Sequence, residues 1–301
     1  MIDICLLGCG GMLPLQNRRL SSLLIRYKSK TILVDCGEGT QVGVRAAGWG
    51  FKQIDTLCLT HYHADHVAGL PGFLLTLGNS GRTEPLTILG PPMLHEIVNS
   101  LTIISPELPY ALKLIELDAQ NSSKYADGEI IIQSLPVDHW MPCLAYNFEI
   151  QRQGKFNVER AKELRIPVEF WNKLQNGETI SHRENLYASS MVMGEKRKGI
   201  KLSYCTDSRP TDDLVAFCSN SDLLVCEGMY GSEDLLPKAI DKKHMIFSEA
   251  ASIAQKSDSK ELWLTHFSPS LDSPESFIDI AKTIFENSCI GHDLMTTTLK
   301  W

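Results

Sequence analysis

Short apolar runs alternate with amphipathic segments along most of the chain. Apolar runs bounded by polar turns predict strands, and apolar residues at helical spacing predict helices. Because strands and helices alternate in both halves, we predict an α/β fold in which two βα-rich halves pack together. The predicted strands are 2–7, 22–26, 31–35, 54–60, 86–89, 112–117, 129–137, 143–151, 201–206, 222–226 and 261–265. The predicted helices are 41–47, 67–77, 92–104, 158–164, 211–218, 247–256 and 273–286.

A polar, charge-rich section at 152–199 interrupts this alternation and contains one predicted helix. No Pro/Gly/Ser-rich linker divides the chain, so we predict a single domain over 1–301, with an inserted arm at 152–185.

Composition and cysteine content indicate the class of protein and its cellular compartment. The 301 residues are 43% hydrophobic and 22% charged, which is ordinary for a globular protein with a large core. No apolar run approaches the roughly 20 residues that span a bilayer, so no membrane partner is expected. The N-terminal sequence MIDICLLGCGG lacks the basic segment of a signal peptide. Nine scattered cysteines without a CxxC pair favour free thiols and a cytoplasmic location.

The net charge of −7 does not by itself favour a nucleic-acid partner. A bound metal ion would add positive charge that the sequence does not count.

A cluster of metal-binding residue types follows the strand at 54–60. His61, His63, Asp65 and His66 lie on the predicted turn between this strand and a helix, where several side chains can converge. Other predicted strands also end in histidine or acidic residues: His139, Asp207, Glu227 and His266. Because α/β folds build sites where strands end, we predict a site at one sheet edge for more than one metal ion.

The pattern His-x-His-x-Asp-His resembles the signature of the metallo-β-lactamase superfamily. The resemblance implies a four-layer αββα sandwich that holds two Zn²⁺ per subunit, with Mn²⁺ or another divalent metal as alternatives. It implies that one zinc is held by His61, His63 and His139, and the other by Asp65, His66 and His266, with Asp207 bridging them. A water between the ions would become a hydroxide nucleophile, which Asp65 could orient.

Further motifs resemble the ribonuclease Z family. They are DCGEGTQ at 35–41, THYHADHVAGLPG at 60–72, TDSRP at 206–210 and THFSP at 265–269. This resemblance implies a homodimeric, zinc-dependent endoribonuclease that removes the 3′ trailer of precursor tRNA. It also implies a dyad of His244 and Glu227, in which His244 protonates the leaving oxygen. With Asp65, these two are the candidate catalytic residues.

Some segments depart from the family pattern. Near the N-terminus, Gln16 and Arg19 replace Lys and Asn of a family loop, whereas Arg18 is retained. In the arm, residues 167–171 stand where a Pro/Gly-rich run is expected. We predict that Arg18, Lys155 and Lys173 contact substrate phosphates. The alternatives are a hydrolase of small phosphodiesters, and a metal-stabilised RNA-binding protein without turnover.

Overall fold

The computed structural model describes residues 1–105, 107–182, 185–195 and 197–301. They form two compact units, a main unit of residues 1–149 and 200–300, and a smaller unit of residues 150–199 with Trp301. The arm predicted at 152–185 falls within the smaller unit, although its residues 183 and 184 lie outside the described part.

The predicted strands and helices lie close to their predicted positions, and the described residues also form five strands and two helices that the sequence did not predict. The strands are β1 (Ile2–Gly8), β2 (Ser22–Tyr27), β3 (Lys30–Val34), β4 (Ile54–Cys58), β5 (Leu86–Gly90), β6 (Leu112–Glu116), β7 (Ser123–Asp127), β8 (Ile130–Pro136), β9 (Leu144–Arg152), β10 (Ile180–His182), β11 (Asn185–Tyr187), β12 (Arg197–Cys205), β13 (Leu223–Glu227), β14 (Leu262–Thr265), β15 (Ser288–Ile290) and β16 (Met295–Leu299). The helices are α1 (Thr40–Ala47), α2 (Ala64–Val67), α3 (Leu70–Asn79), α4 (Leu94–Thr102), α5 (Val158–Glu163), α6 (Trp171–Gln175), α7 (Asp212–Phe217), α8 (Leu236–Lys242), α9 (Phe247–Lys256) and α10 (Ile278–Ile284).

Two seven-stranded mixed sheets form the centre of the fold. The first has the order β16-β1-β2-β3-β4-β5-β6, and the second has the order β15-β14-β13-β12-β9-β8-β7. Strands β3 to β6 are parallel, as are β12 to β15, so the carboxyl ends of each set point the same way. The predicted α/β sandwich is therefore confirmed.

Helices cover the outer face of the first sheet. Alternate residues of its strands, such as Cys5, Leu33 and Leu57, share a buried cluster with Phe73 of α3 and Val98 of α4. Since successive side chains of a strand point to opposite faces, the residues between them face the second sheet. Tyr146 reaches across from the second sheet, and its hydroxyl donates to the Leu59 carbonyl at 2.7 Å.

The smaller unit has a small apolar core of its own. Buried Ala161, Ile166, Leu174 and Val192 pack together, and Trp171 donates its indole N–H to the Ile166 carbonyl at 3.0 Å.

Across the described ranges, the structure contains no helix with the length and hydropathy needed to cross a bilayer. The cysteines are free thiols, and all but Cys289 are buried.

Candidate metal centre

The turn after β4 is held by its contact with the DCGEGTQ loop. The Cys36 amide donates to the His66 carbonyl at 2.8 Å, and the Gly69 amide donates to the Cys36 carbonyl at 3.0 Å. A Cβ on Gly69 would lie 2.0 Å from the Gly37 carbonyl oxygen, so only glycine permits this approach. Gly69 also lies between α2 and α3, where the pattern predicted a single helix over 67–77.

All seven predicted metal ligands come together at one edge of the sandwich. Asp207 follows β12, His266 follows β14 and His139 lies beyond β8, so the second sheet delivers three of them to the turn that follows β4. The ligand atoms of one group lie within 4.8 Å of one another, and this group is His61, His63, His139 and Asp207. The same limit holds for a second group, which is Asp65, His66 and His266.

The Asp207 carboxylate lies between the histidines of the first group and those of the second. Its Oδ2 is 3.6 Å from His61 Nε2, and its Oδ1 is 3.3 Å from His66 Nε2 and 3.2 Å from His266 Nε2. Burial favours the neutral acid, but His266, His66 and His61 outweigh it and hold the pKa of Asp207 well below its ordinary value. Each oxygen of this anion thus faces a different group of histidines.

Hydrogen bonds at the outer nitrogens of the imidazoles orient the inner ones. The Nδ1 of His66 is 2.9 Å from Asp35 Oδ2, and the Nδ1 of His139 is 3.2 Å from the Lys243 carbonyl oxygen. The Nδ1 of His61 is 3.1 Å from Thr60 Oγ1, whose own proton goes to Asp35. Because these Nδ1 atoms donate, their Nε2 lone pairs point into the centre.

The arrangement of these donors fits a divalent cation. His61 Nε2 lies 2.9 Å from His63 Nδ1, and His139 Nε2 lies 3.3 Å from the same atom. Lone pairs at such distances repel one another, and the Oδ1 atom of Asp207 is buried without a hydrogen-bond partner. A cation would convert both features into attraction, and nitrogen and oxygen donors suit zinc and its neighbours in the first transition series.

The predicted dyad lies beside the candidate metal centre. The Nδ1 atom of His244 is 3.1 Å from Glu227 Oε2 and 4.0 Å from Asp207 Oδ2. The fully buried Glu227 carboxylate also accepts from the amides of Ser208 and Met245. Burial disfavours the imidazolium of His244, but the Glu227 carboxylate outweighs burial and raises the pKa of His244 to about 9.

Arg209 fixes the backbone of the dyad and was not predicted as a site residue. Its guanidinium donates to the His244 carbonyl at 2.5 Å and pairs with both carboxylate oxygens of Glu249. Asp35 is a second residue for which the sequence suggested no role, although it stands in a recognised motif.

A cavity of about 450 Å³ opens beside the centre. Its walls include His244 and five candidate ligands, which are His63, Asp65, His139, Asp207 and His266. Residues that were not predicted as site residues also line it, among them Met12, Trp140, Met229, Tyr230, Lys238 and Lys242. Met12 has a left-handed backbone, with φ of 69°, and its amide donates to Asp65 Oδ2 at 2.7 Å.

The predicted substrate-contacting residues are divided between the two units, with Arg18 in the main unit and Lys155 and Lys173 in the smaller one. Arg18 donates to the carbonyls of Ser268 and Asp272 at 3.3 Å each, and it lies over the Phe267 ring. Lys155 and Lys173 are exposed in the smaller unit. Their contact with a substrate stays a prediction.

The chain is similar to known proteins in sequence and in fold. Residues 18–137 match the family model described as metallo-beta-lactamase superfamily, which agrees with the sandwich and with the His/Asp cluster at its edge. The fold and the site thus define a protein of the metallo-β-lactamase superfamily.

Full-length relatives narrow this class. The chain is 55% identical to ribonuclease Z of Clostridium acetobutylicum, over 97% of this chain and 96% of that protein. It is 51% identical to ribonuclease Z of Clostridium kluyveri, over 97% of each chain. The chain belongs to the ribonuclease Z family.

Solved structures share the fold. The crystal structure of human tRNase Z, short form, matches with a TM-score of 0.72 and 21% identity, over 99% of this chain and 100% of that one. The metallo-beta-lactamase fold protein YhfI of Bacillus subtilis matches with a TM-score of 0.71 and 20% identity, over 98% of both chains.

Proposed function

We propose that this protein is a zinc-dependent endoribonuclease that removes the 3′ trailer of precursor tRNA. The observation that carries the proposal is the convergence of seven candidate ligands with the His244–Glu227 dyad, with five of the ligands and His244 lining one cavity. Relatives that are about half identical over nearly the whole chain and are named ribonuclease Z support the same activity.

Two zinc ions are the proposed cofactors, with Mn²⁺ or another divalent metal as substitutes. His61, His63 and His139 would hold one ion, Asp65, His66 and His266 the other, and Asp207 both. When bound, the ions would lower the pKa of a water for attack on phosphorus and would neutralise charge on the phosphate oxygens. Asp65 accepts a hydrogen bond from the Met12 amide at 2.7 Å, and this contact holds the carboxylate where it would orient that water.

His244 is the proposed general acid. Because its Nδ1 atom is bound to Glu227, Nε2 is the nitrogen that is left to give a proton to the substrate. As the P–O3′ bond breaks, this proton goes to the ribose 3′-oxygen, which leaves as a hydroxyl group. A pKa of about 9 keeps His244 protonated at neutral pH, and buried Glu227 fixes its orientation.

The proposed tRNA-binding arm is the segment 152–185 of the smaller unit. Lys155 and Lys173 are exposed there and suit contacts with the phosphate backbone. We further propose a homodimer in the cytoplasm, which light scattering on the purified protein and fractionation of cells would test.

The test is cleavage of a labelled precursor tRNA by zinc-loaded protein, with His63→Ala as the control. We expect one cut at the start of the 3′ trailer, and its loss in the variant. Hydrolysis of a small chromogenic phosphodiester without any cut in the RNA would contradict the tRNA assignment and would favour the small-substrate alternative.

Deletion of residues 154–178 separates the arm from the chemistry. We expect this variant to lose cleavage of precursor tRNA while it still hydrolyses the small phosphodiester, because all seven candidate ligands lie in the main unit. Equal loss of both activities would argue against a separate binding arm.

A further inference from the structure

An apolar wall, formed by residues without charge, shares the lining of the cavity with the candidate metal ligands. Met12, Trp140, Met229 and Tyr230 contribute to it. Trp140 is 65% exposed, compared with 49% for Trp301 and 1% for Trp263. A large aromatic side chain that stays exposed to solvent beside a reaction centre is a common sign of a recognition surface.

Trp140 is close to the candidate site both in sequence and in space. It directly follows His139, a candidate ligand, and the Nζ atom of Lys243 lies 5.4 Å from the centroid of its ring. Lys243 precedes His244 and has a left-handed backbone, with φ of 54°. The indole is therefore placed within one residue of a candidate ligand and beside the segment that carries the general acid.

Basic side chains border these apolar residues, although Lys242 is itself paired with Asp241 at 3.0 Å. Lys238 and Lys242 of α8 line the same cavity, and the Nζ atom of Lys238 lies 4.9 Å from the centroid of the Tyr230 ring. A flat apolar surface that is bordered by ammonium groups complements a nucleotide, because its base has two stackable faces and its backbone is anionic.

We propose that this cavity is a nucleobase subsite, in which Trp140 stacks on the base of one nucleotide beside the scissile phosphate. Lys238 and Lys242 hold the neighbouring backbone phosphates. The inference rests on the proposed function, because it assumes that the bound strand is RNA, and it adds a specific contact close to the cut.

The test pairs variants of Trp140 with RNAs that lack a single base. The substrates are precursor tRNAs that are intact or that lack the base of one of the two nucleotides flanking the cut. The rate of cleavage of each RNA is measured for wild type, Trp140→Ala and Trp140→Phe. Trp49→Phe is the matched control, since Trp49 belongs to the main unit and does not line the cavity.

We expect Trp140→Ala to lower kcat/KM about 5- to 100-fold on intact RNA, the range of base–aromatic stacking. It should lower kcat/KM little on the RNA that lacks the stacked base, and Trp140→Phe should retain most activity. Equal losses on every RNA would mean a structural role for Trp140 and would overturn the proposal.

Tryptophan fluorescence gives a readout that does not depend on cleavage. We expect intact RNA to quench wild type more than Trp140→Phe, and the abasic RNA to remove this difference. If wild type cuts no precursor tRNA but the quenching follows Trp140, the proposed function fails and the subsite stands. If Trp140→Phe is quenched as strongly as wild type, the subsite is refuted.

Discussion

Asp35→Asn should weaken metal binding without unfolding the protein. The buried Asp35 carboxylate accepts the Thr60 amide at 2.8 Å through Oδ1 and the His66 Nδ1–H at 2.9 Å through Oδ2. Asparagine has nearly the same volume, and it tolerates the left-handed backbone at this position, where φ is 57°. It has only one carbonyl oxygen, however, which can keep the contact with Thr60 and leave its NH₂ group facing His66.

The structure sets the expected size of this effect. An NH₂ group facing His66 favours the tautomer with a proton on Nε2, which removes the lone pair that points into the centre. Loss of such an orienting contact lowers metal affinity about 10- to 100-fold, or about 1.4–2.7 kcal/mol. In that tautomer the NH₂ group donates to Nδ1, so a hydrogen bond to a carboxylate becomes a neutral one, and the free energy of unfolding of the metal-free protein should fall by about 1 kcal/mol.

Asp127→Asn is the matched control. Asp127 is also buried, and it accepts from Thr56 Oγ1 at 2.7 Å and pairs with Lys30 at 2.9 Å, but it does not contact the candidate ligands. It should lose stability in urea unfolding while keeping zinc affinity in competition with a chromophoric chelator. Unchanged zinc affinity in Asp35→Asn would refute the proposed role of Asp35.

The remaining predictions concern the dyad and the metal. His244→Ala should lower kcat about 100-fold or more at unchanged zinc content, and an unaffected rate would exclude it as the general acid. Because the acid must be protonated, activity should fall as pH rises through the His244 pKa of about 9, and Glu227→Gln should move this fall to lower pH because the carboxylate that raises that pKa is gone. Arg209→Lys should lower kcat more than it changes KM, since lysine cannot pair with both oxygens of Glu249 and also hold the His244 carbonyl; a change confined to KM would contradict this. A chelator should lower the Tm and added zinc should restore it, because an ion that binds only the folded state stabilises it; a constant Tm would argue against a built site.

Local spacing made much of the candidate site visible in the sequence. His61 to His66 lie so close in the chain that their convergence needs only one turn, and the ends of parallel strands point to Asp207 and His266. The role of Asp35 could not be predicted in this way, because its contact with His66 depends on how two loops dock. Nor could the exposure of Trp140, which depends on what the rest of the chain leaves uncovered.

Two of the strands that were not predicted share a physical cause. Strands β7 and β16 are polar and lie at the edges of their sheets, where pairing with one neighbour replaces burial on both faces. Their apolar content is too low for periodicity to reveal them. The central strands, which are buried on both faces, were predicted within a few residues of their bounds.

Because the candidate ligands are divided between the two sheets, they are synthesised at widely separated times during translation. The first of them is His61, after β4 of the first sheet, and the last is His266, after β14 of the second. A ribosome must therefore complete almost the whole chain before both groups of ligands exist together. A truncated product that ends before β14 keeps the other six candidate ligands but loses His266, so the group of Asp65, His66 and His266 is incomplete.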